Sequence, residues 1–298
     1  MNIPMAASVH SRDASVSSWD ASLSLTVSRT PRGSVLKRKS HQGPLYIQKP
    51  FYPEGRELAH LYVLHPPGGM VSGDTLAISV DIGEQASALV TTPGAGRVYK
   101  ARDDKALQRQ VLEFRVAQDA SLEWLPLEAI IYPGASTQLD THVHLQGNGR
   151  YIGWEVTSLG LPASGEAFTA DTRMSQTLNI YRDDRLALRE KLMVDGVDGM
   201  LAASAGLRQR PISGMMVAGP FDQSLDEEVL SRLRELCENQ SERDSQALAG
   251  VTLNQDFLIV RALGSCSEQT RKLFIDCWRL LRPLMLEREA CPPRIWAT

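Results

Sequence analysis

Ala21-Ser22-Leu23-Ser24-Leu25-Thr26-Val27-Ser28 and Thr75-Leu76-Ala77-Ile78-Ser79-Val80-Asp81-Ile82 each place an apolar side chain at every second position, with small or polar residues between. Successive side chains of a strand point to opposite faces, so each stretch predicts a strand with one face in a core and one in solvent. The same period returns around Leu112-Phe114-Val116, Val143-Leu145 and Ile152-Trp154-Val156, from Met174 to Ile180 and from Leu186 to Val194. Pro66-Pro67-Gly68-Gly69, Pro93-Gly94 and Pro133-Gly134 supply turn chemistry between these runs. So many strands with no helix between them exclude a doubly wound sheet. The expected architecture is mainly β: stacked or coiled antiparallel sheets in a β-helix-like scaffold, with two C-terminal α-helices and no fixed-period repeat.

The first helix is expected over 224–239, opened by a capping box between Ser224 and Glu227, with Leu225, Val229, Leu230, Leu233, Leu236 and Cys237 in one apolar stripe. The second is expected over 267–283 and carries Phe274, Cys277, Trp278 and Leu281 on one face; Pro283 should kink or end it. A strand pair around Val251-Leu253 and Phe257 to Leu263 lies between them. Each helix must pack on something, either its own sheets or a partner protein.

Composition agrees with this reading. Among 298 residues, 43% are hydrophobic and 22% charged, and 22 glycines and 16 prolines are more turn punctuation than a helical bundle tolerates. A net charge of -3 and a pI near 6.1 remove the basic footprint of a nucleic-acid binder. No run approaches the ~20 apolar residues that cross a bilayer. Residues 1–18 are serine-rich without an apolar core, which is unlike a secretory signal and predicts a flexible tail on a cytoplasmic protein, with residues 19–298 as a single β-rich domain. Cys237, Cys266, Cys277 and Cys291 form no C-x-x-C pair, so neither a zinc knuckle nor a redox motif is present.

Most enzyme signatures are missing. Gly68-Gly69-Met70-Val71-Ser72-Gly73-Asp74 is glycine-rich but lacks the lysine of a phosphate loop and leads into a strand. Neither G-x-S-x-G nor H-E-x-x-H occurs. His60 and His65 fall on opposite faces of a strand, whereas His142 and His144 share one and present either two imidazoles to a divalent ion or an ordinary solvated face. Glu123 and Glu128 are the carboxylates a β-sheet hydrolase or carbohydrate-active enzyme would pair, but they are five apart on a strand, facing opposite ways, with Pro126 between.

Glu190 is the anomaly. It stands in the middle of the apolar face formed by the even positions of Leu186 to Val194. An inward carboxylate costs several kcal/mol unless paired or wet, so it marks either a buried ion pair or an internal water-filled space. Glu155, between Trp154 and Val156, and Asp74, at the tip of the Pro-Gly loop, are weaker instances. Separated carboxylates suit a path that must release a divalent ion better than a closed thiolate cage.

Gly43-Pro44-Leu45 with Gln48-Lys49-Pro50-Phe51-Tyr52-Pro53-Glu54, then His60-Leu61-Tyr62-Val63-Leu64-His65-Pro66-Pro67-Gly68-Gly69 and Gly73-Asp74, resembles the urease accessory protein UreD (UreH) family. The likeness continues through Thr91-Thr92-Pro93-Gly94-Ala95, Leu122-Glu123-Trp124-Leu125-Pro126, Trp154-Glu155 and Gly165-Glu166-Ala167-Phe168 to Leu281-Arg282-Pro283 and Pro292-Pro293-Arg294-Ile295-Trp296. Leu161 departs from it, standing where the family usually has arginine. The resemblance implies a non-enzymatic maturation scaffold that joins UreF and the GTPase UreG, with room for a dimeric arrangement in that complex, and docks on urease apoprotein. It implies no tightly bound cofactor, Ni2+ in transit through an internal tunnel, and Asp74, Glu155 and Glu190 as the lining carboxylates. The helix residues Leu233 and Trp278 are then expected at the UreF interface.

Overall fold

The computed structural model describes residues 18–222 and 225–297. The expected N-terminal tail, Ser18 aside, and the expected cap at Ser224 lie outside the described residues. In chain order the strands are β1 (Asp20–Thr30), β2 (Gly33–Gln42), β3 (Tyr46–Ile47), β4 (Leu58–Leu64), β5 (Thr75–Ile82), β6 (Ser87–Thr91), β7 (Gly96–Val98), β8 (Gln108–Val116), β9 (Ser121–Trp124), β10 (Ala129–Ile131), β11 (Ser136–Leu145), β12 (Arg150–Leu161), β13 (Glu166–Ala167), β14 (Arg173–Arg182), β15 (Arg185–Asp195), β16 (Ile212–Gly219), β17 (Leu248–Asn254) and β18 (Phe257–Gly264). The helices are α1 (Glu227–Glu238), α2 (Gln240–Arg243) and α3 (Ser267–Leu286).

Two sheets carry the molecule. The first has seven strands in the order β15-β14-β11-β8-β5-β1-β2. The second runs β17-β18-β16-β12-β9-β6-β4-β3, with β7, β10 and β13 attached beside it. From β4 to β14 the chain passes back and forth between the sheets, and each long strand pairs parallel to its predecessor in the same sheet: β5, β8, β11 and β14 in one, β4, β6, β9 and β12 in the other. The mainly β class and the two C-terminal helices agree with expectation, but the antiparallel pairing does not. Antiparallel ladders are confined to later and flanking strands such as β14–β15, β12–β16, β16–β18 and β1–β2. Periodicity reports which face of a strand is buried and is silent on the direction of its neighbour.

The inward residues Leu23, Leu25, Val27, Val80, Phe114 and Val143 of the first sheet meet Leu61, Val90, Leu122 and Trp124 of the second in one apolar core. Full burial of such a side chain stabilises by ~1.5–3 kcal/mol. Alternation is clean in β1, β5 and β11 because their outer face is in water. The second sheet is covered on both faces, so β6 and β9 are almost uniformly buried. Its other face, with Leu58, Leu89, Ile152, Trp154 and Val260, packs against Leu230, Leu233, Phe274, Trp278 and Leu281 of the helices.

Asp226 caps α1, its side chain accepting from the Glu228 N–H. The helix α3 runs through Pro283 and ends at Glu287, whose backbone is left-handed at φ 53°. The expected end at Pro283 is therefore overridden by tertiary contacts of its final turn, where the Met285 carbonyl accepts from Arg150 Nη1 at 3.0 Å.

Candidate functional site

Two cavities lie between the sheets. One, of about 290 Å3, is walled by side chains such as Met70, Leu76, Ile78 and Trp124, with His65, Gln110 and Glu128 as polar points. The other, of about 420 Å3, is bounded by Leu178, Met215, Leu263, Glu190 and Arg261. Glu155 and Gln176 line both, so the two spaces meet at this pair.

Strand β12 creates that meeting point by alternation. Ile152, Trp154 and Val156 face the helices, which turns Glu155 toward the first sheet. Its two oxygens accept from Thr141 Oγ1 at 2.6 Å on β11 and Gln176 Nε2 at 2.8 Å on β14, and Gln176 Oε1 in turn accepts from Thr157 Oγ1 at 3.0 Å. Burial raises the Glu155 pKa, the two hydrogen bonds opposing it. A cation arriving here competes with a proton as well as with those donors.

Glu190 stands opposite Leu178 on β15 and points inward, as its position in the apolar face implies. It is paired, Arg261 Nη2 lying 2.6 Å from its Oε1, and it also lines the larger cavity. Of the two alternatives read from the sequence, the ion pair is present but half-exposed instead of buried, and the carboxylate also borders a cavity. Asp74 is elsewhere. Its carboxylate accepts from the Val71 and Trp19 N–H groups, each at 2.9 Å, which closes the glycine loop onto β1. Its charge opposes the lowering that burial imposes on the pKa of His65, a residue that lines the smaller cavity. The fold brings Glu155 and Glu190 to one cavity, and Asp74 lines neither. Among the described residues, no group of three or more His, Cys, Asp or Glu is placed to hold a metal ion.

Leu233 and Trp278 are fully buried against the second sheet. Direct contact with a partner is thus corrected to intramolecular packing: the apolar stripe of each helix is consumed by the sheet beneath it. Trp278 Nε1 donates to Glu123 Oε2 at 2.6 Å, and Arg282 forks onto the same carboxylate, with Nε 2.9 Å from Oε2 and Nη2 3.0 Å from Oε1. Arg282 also reaches Glu54 at 2.6 and 2.8 Å, and His60 Nε2 is 2.7 Å from Glu54 Oε1. Burial alone would lower the Arg282 pKa; the two carboxylates outweigh it and hold the guanidinium charged. This network was not legible as such, although an acidic residue between Leu122 and Trp124, with Leu125 following, was a usable signal.

Glu123 and Glu128 do not converge. The first is locked beneath α3 and the second borders the inter-sheet cavity. His142 and His144 sit on the outer face of the first sheet, His142 Nδ1 3.3 Å from Asn179 Nδ2 and His144 stacked on Tyr181. All four cysteines are free, and no described helix is long and apolar enough to cross a membrane.

Fold and site together define a β-sheet scaffold with a carboxylate-bearing interior roofed by helices on one side. The model of the UreD urease accessory protein family matches residues 20–297, and the chain belongs to that family. It is 47% identical over 289 residues to the urease accessory protein UreD of Marinomonas sp. strain MWYL1, covering 95% of this chain and 91% of that one. Its identity to the UreD of Pseudomonas paraeruginosa is 40% over 281 residues, covering 94% and 95%. The UreD of Hahella chejuensis is 38% identical over 285 residues, covering 94% and 91%.

Proposed function

We propose that the chain is a non-enzymatic urease maturation factor that passes Ni2+ through its inter-sheet cavities toward urease apoprotein, in a complex with UreF and the GTPase UreG. The observation that carries this reading is the junction of the two cavities at Glu155 and Gln176, with Glu190 further along the larger one. Ni2+ accepts carboxylate oxygen and imidazole nitrogen, and ligands offered singly along a path bind weakly enough to release it. Nucleotide chemistry belongs to the GTPase, and the glycine-rich turn here is tied off by Asp74 instead of cradling phosphate. Glu155→Leu and Glu190→Leu, made together, should leave the complex assembled and lower the nickel content of urease several-fold. Normal nickel loading by the double variant, with normal complex assembly, overturns the passage.

A further inference from the structure

Resting on the passage just proposed, we infer that Arg261 is its gate: an exchangeable counter-ion that occupies Glu190 until a divalent cation displaces it. The pair has the geometry of a strong charge-assisted hydrogen bond at 2.6 Å, yet it is unequally exposed, Arg261 at 48% and Glu190 at 21% of their side-chain surface. Both residues line the larger cavity, as does Glu155. The guanidinium is the more exposed member of the pair, and the carboxylate the more covered one.

The surroundings allow the guanidinium to leave. Arg261 is paired in register with Gly250 on the neighbouring β17, and a side chain added at Gly250 would meet nothing within 4 Å. That gap gives the arginine room to swing toward solvent, where its charge is readily hydrated. A half-exposed ion pair is held weakly, so exchange with a doubly charged ion is favourable where exchange with a monovalent one is not. Held in place, the arginine keeps Glu190 neutralised and denies the cavity to sodium and potassium. The gate therefore selects for charge as well as controlling entry.

Retention of 63Ni2+ by the full chain in equilibrium dialysis tests this, with Arg261→Gln, Arg261→Lys, Glu190→Gln and the Arg261→Gln/Glu190→Gln pair. Arg261→Gln should raise the association constant roughly three- to tenfold, as expected from removing one half-exposed positive charge beside a divalent ion. Arg261→Lys should stay within about twofold of the parent, because it keeps the charge. Glu190→Gln should lower retention, and the double variant should show none of the gain, since the two effects act through one contact. A gain that persists in the Glu190→Gln background, or no gain where Glu190→Gln alone lowers retention, overturns the gate and leaves the passage standing. No effect of any variant removes the passage at Glu190 and the gate with it. Should Arg261→Gln not fold, Arg261→Ala removes the same charge beside the open space at Gly250 and should give the same gain; a folded Arg261→Ala without the gain overturns the proposal.

Discussion

Arg282 on α3 and Glu123 on β9 are 159 residues apart in the chain and form a fully buried pair, Nε to Oε2 at 2.9 Å. It joins the helix layer to the second sheet. The Trp278 indole N–H, the Glu54 carboxylate, the Glu289 carbonyl and the Trp278 ring face, 5.2 Å from the guanidinium carbon, surround it.

Removing the cation from this cluster strands two carboxylates in the interior. Arg282→Met should cost about 3–5 kcal/mol, the range for breaking one partner of a buried pair. Arg282→Lys should also destabilise, since a point charge cannot fork onto both Glu123 and Glu54. Urea unfolding monitored by circular dichroism reads both; a loss under about 1 kcal/mol for the Met variant rejects the anchoring role.

Acid should loosen the same cluster. The Glu54 pKa is lowered: burial alone would raise it, and the hydrogen bonds from His60 and Arg282 and their charges outweigh that effect. A lowered folded-state pKa contributes stability that is present above the ordinary glutamate value and lost as pH falls through the lowered one. Melting temperature should therefore drop on acidification below the ordinary glutamate range, and Glu54→Gln should flatten that drop. An unchanged slope in the variant would refute the assignment.

Close approach of α3 to β16 depends on Gly214. A Cβ there would lie 2.6 Å from Thr270 Cγ2 and 2.8 Å from the Phe274 ring. Gly214→Ala should cost about 1–3 kcal/mol by overpacking, against the small gain an alanine normally brings to a strand. Thermal unfolding checks it, and a variant as stable as the parent would mean that the helix moves aside without cost.

The thiols should divide by location. Burial pushes the Cys237 pKa up to about 11 and that of Cys277 higher still; it also raises that of Cys291, but Cys291, like Cys266, is only partly buried and within reach of a reagent. The thiolate is the reactive form, so Cys266 and Cys291 should be alkylated first by iodoacetamide at neutral pH, with Cys237 and Cys277 protected until unfolding. Mass spectrometry of timed samples distinguishes this from uniform labelling.

Much of this fold is written locally. Alternation in β1, β5 and β11 locates the strands because one face of each meets water, and the i, i+3, i+4 spacing of Phe274, Cys277 and Trp278 locates α3. The inward carboxylate of Glu190 is visible for the same reason: a charge in an apolar row breaks a pattern. Strands β6 and β9 offer no such contrast, being covered on both sides. Asp74 illustrates the opposite limit, since a carboxylate at a loop tip reads alike whether it lines a cavity or caps its own turn.

The amino-acid sequence by itself determined the β-rich class, the helix faces, the free cysteines' unsuitability for a metal knuckle and the inward aim of Glu190, because each follows from the spacing of side chains along one element. Only the tertiary structure decided that the long strands run parallel, that Leu233 and Trp278 turn to their own sheet, that Glu155 joins two cavities and that Arg261 and Arg282 find Glu190 and Glu123. Those pairings link residues 71 and 159 positions apart, and no local periodicity carries the register that brings such distant side chains within hydrogen-bonding reach.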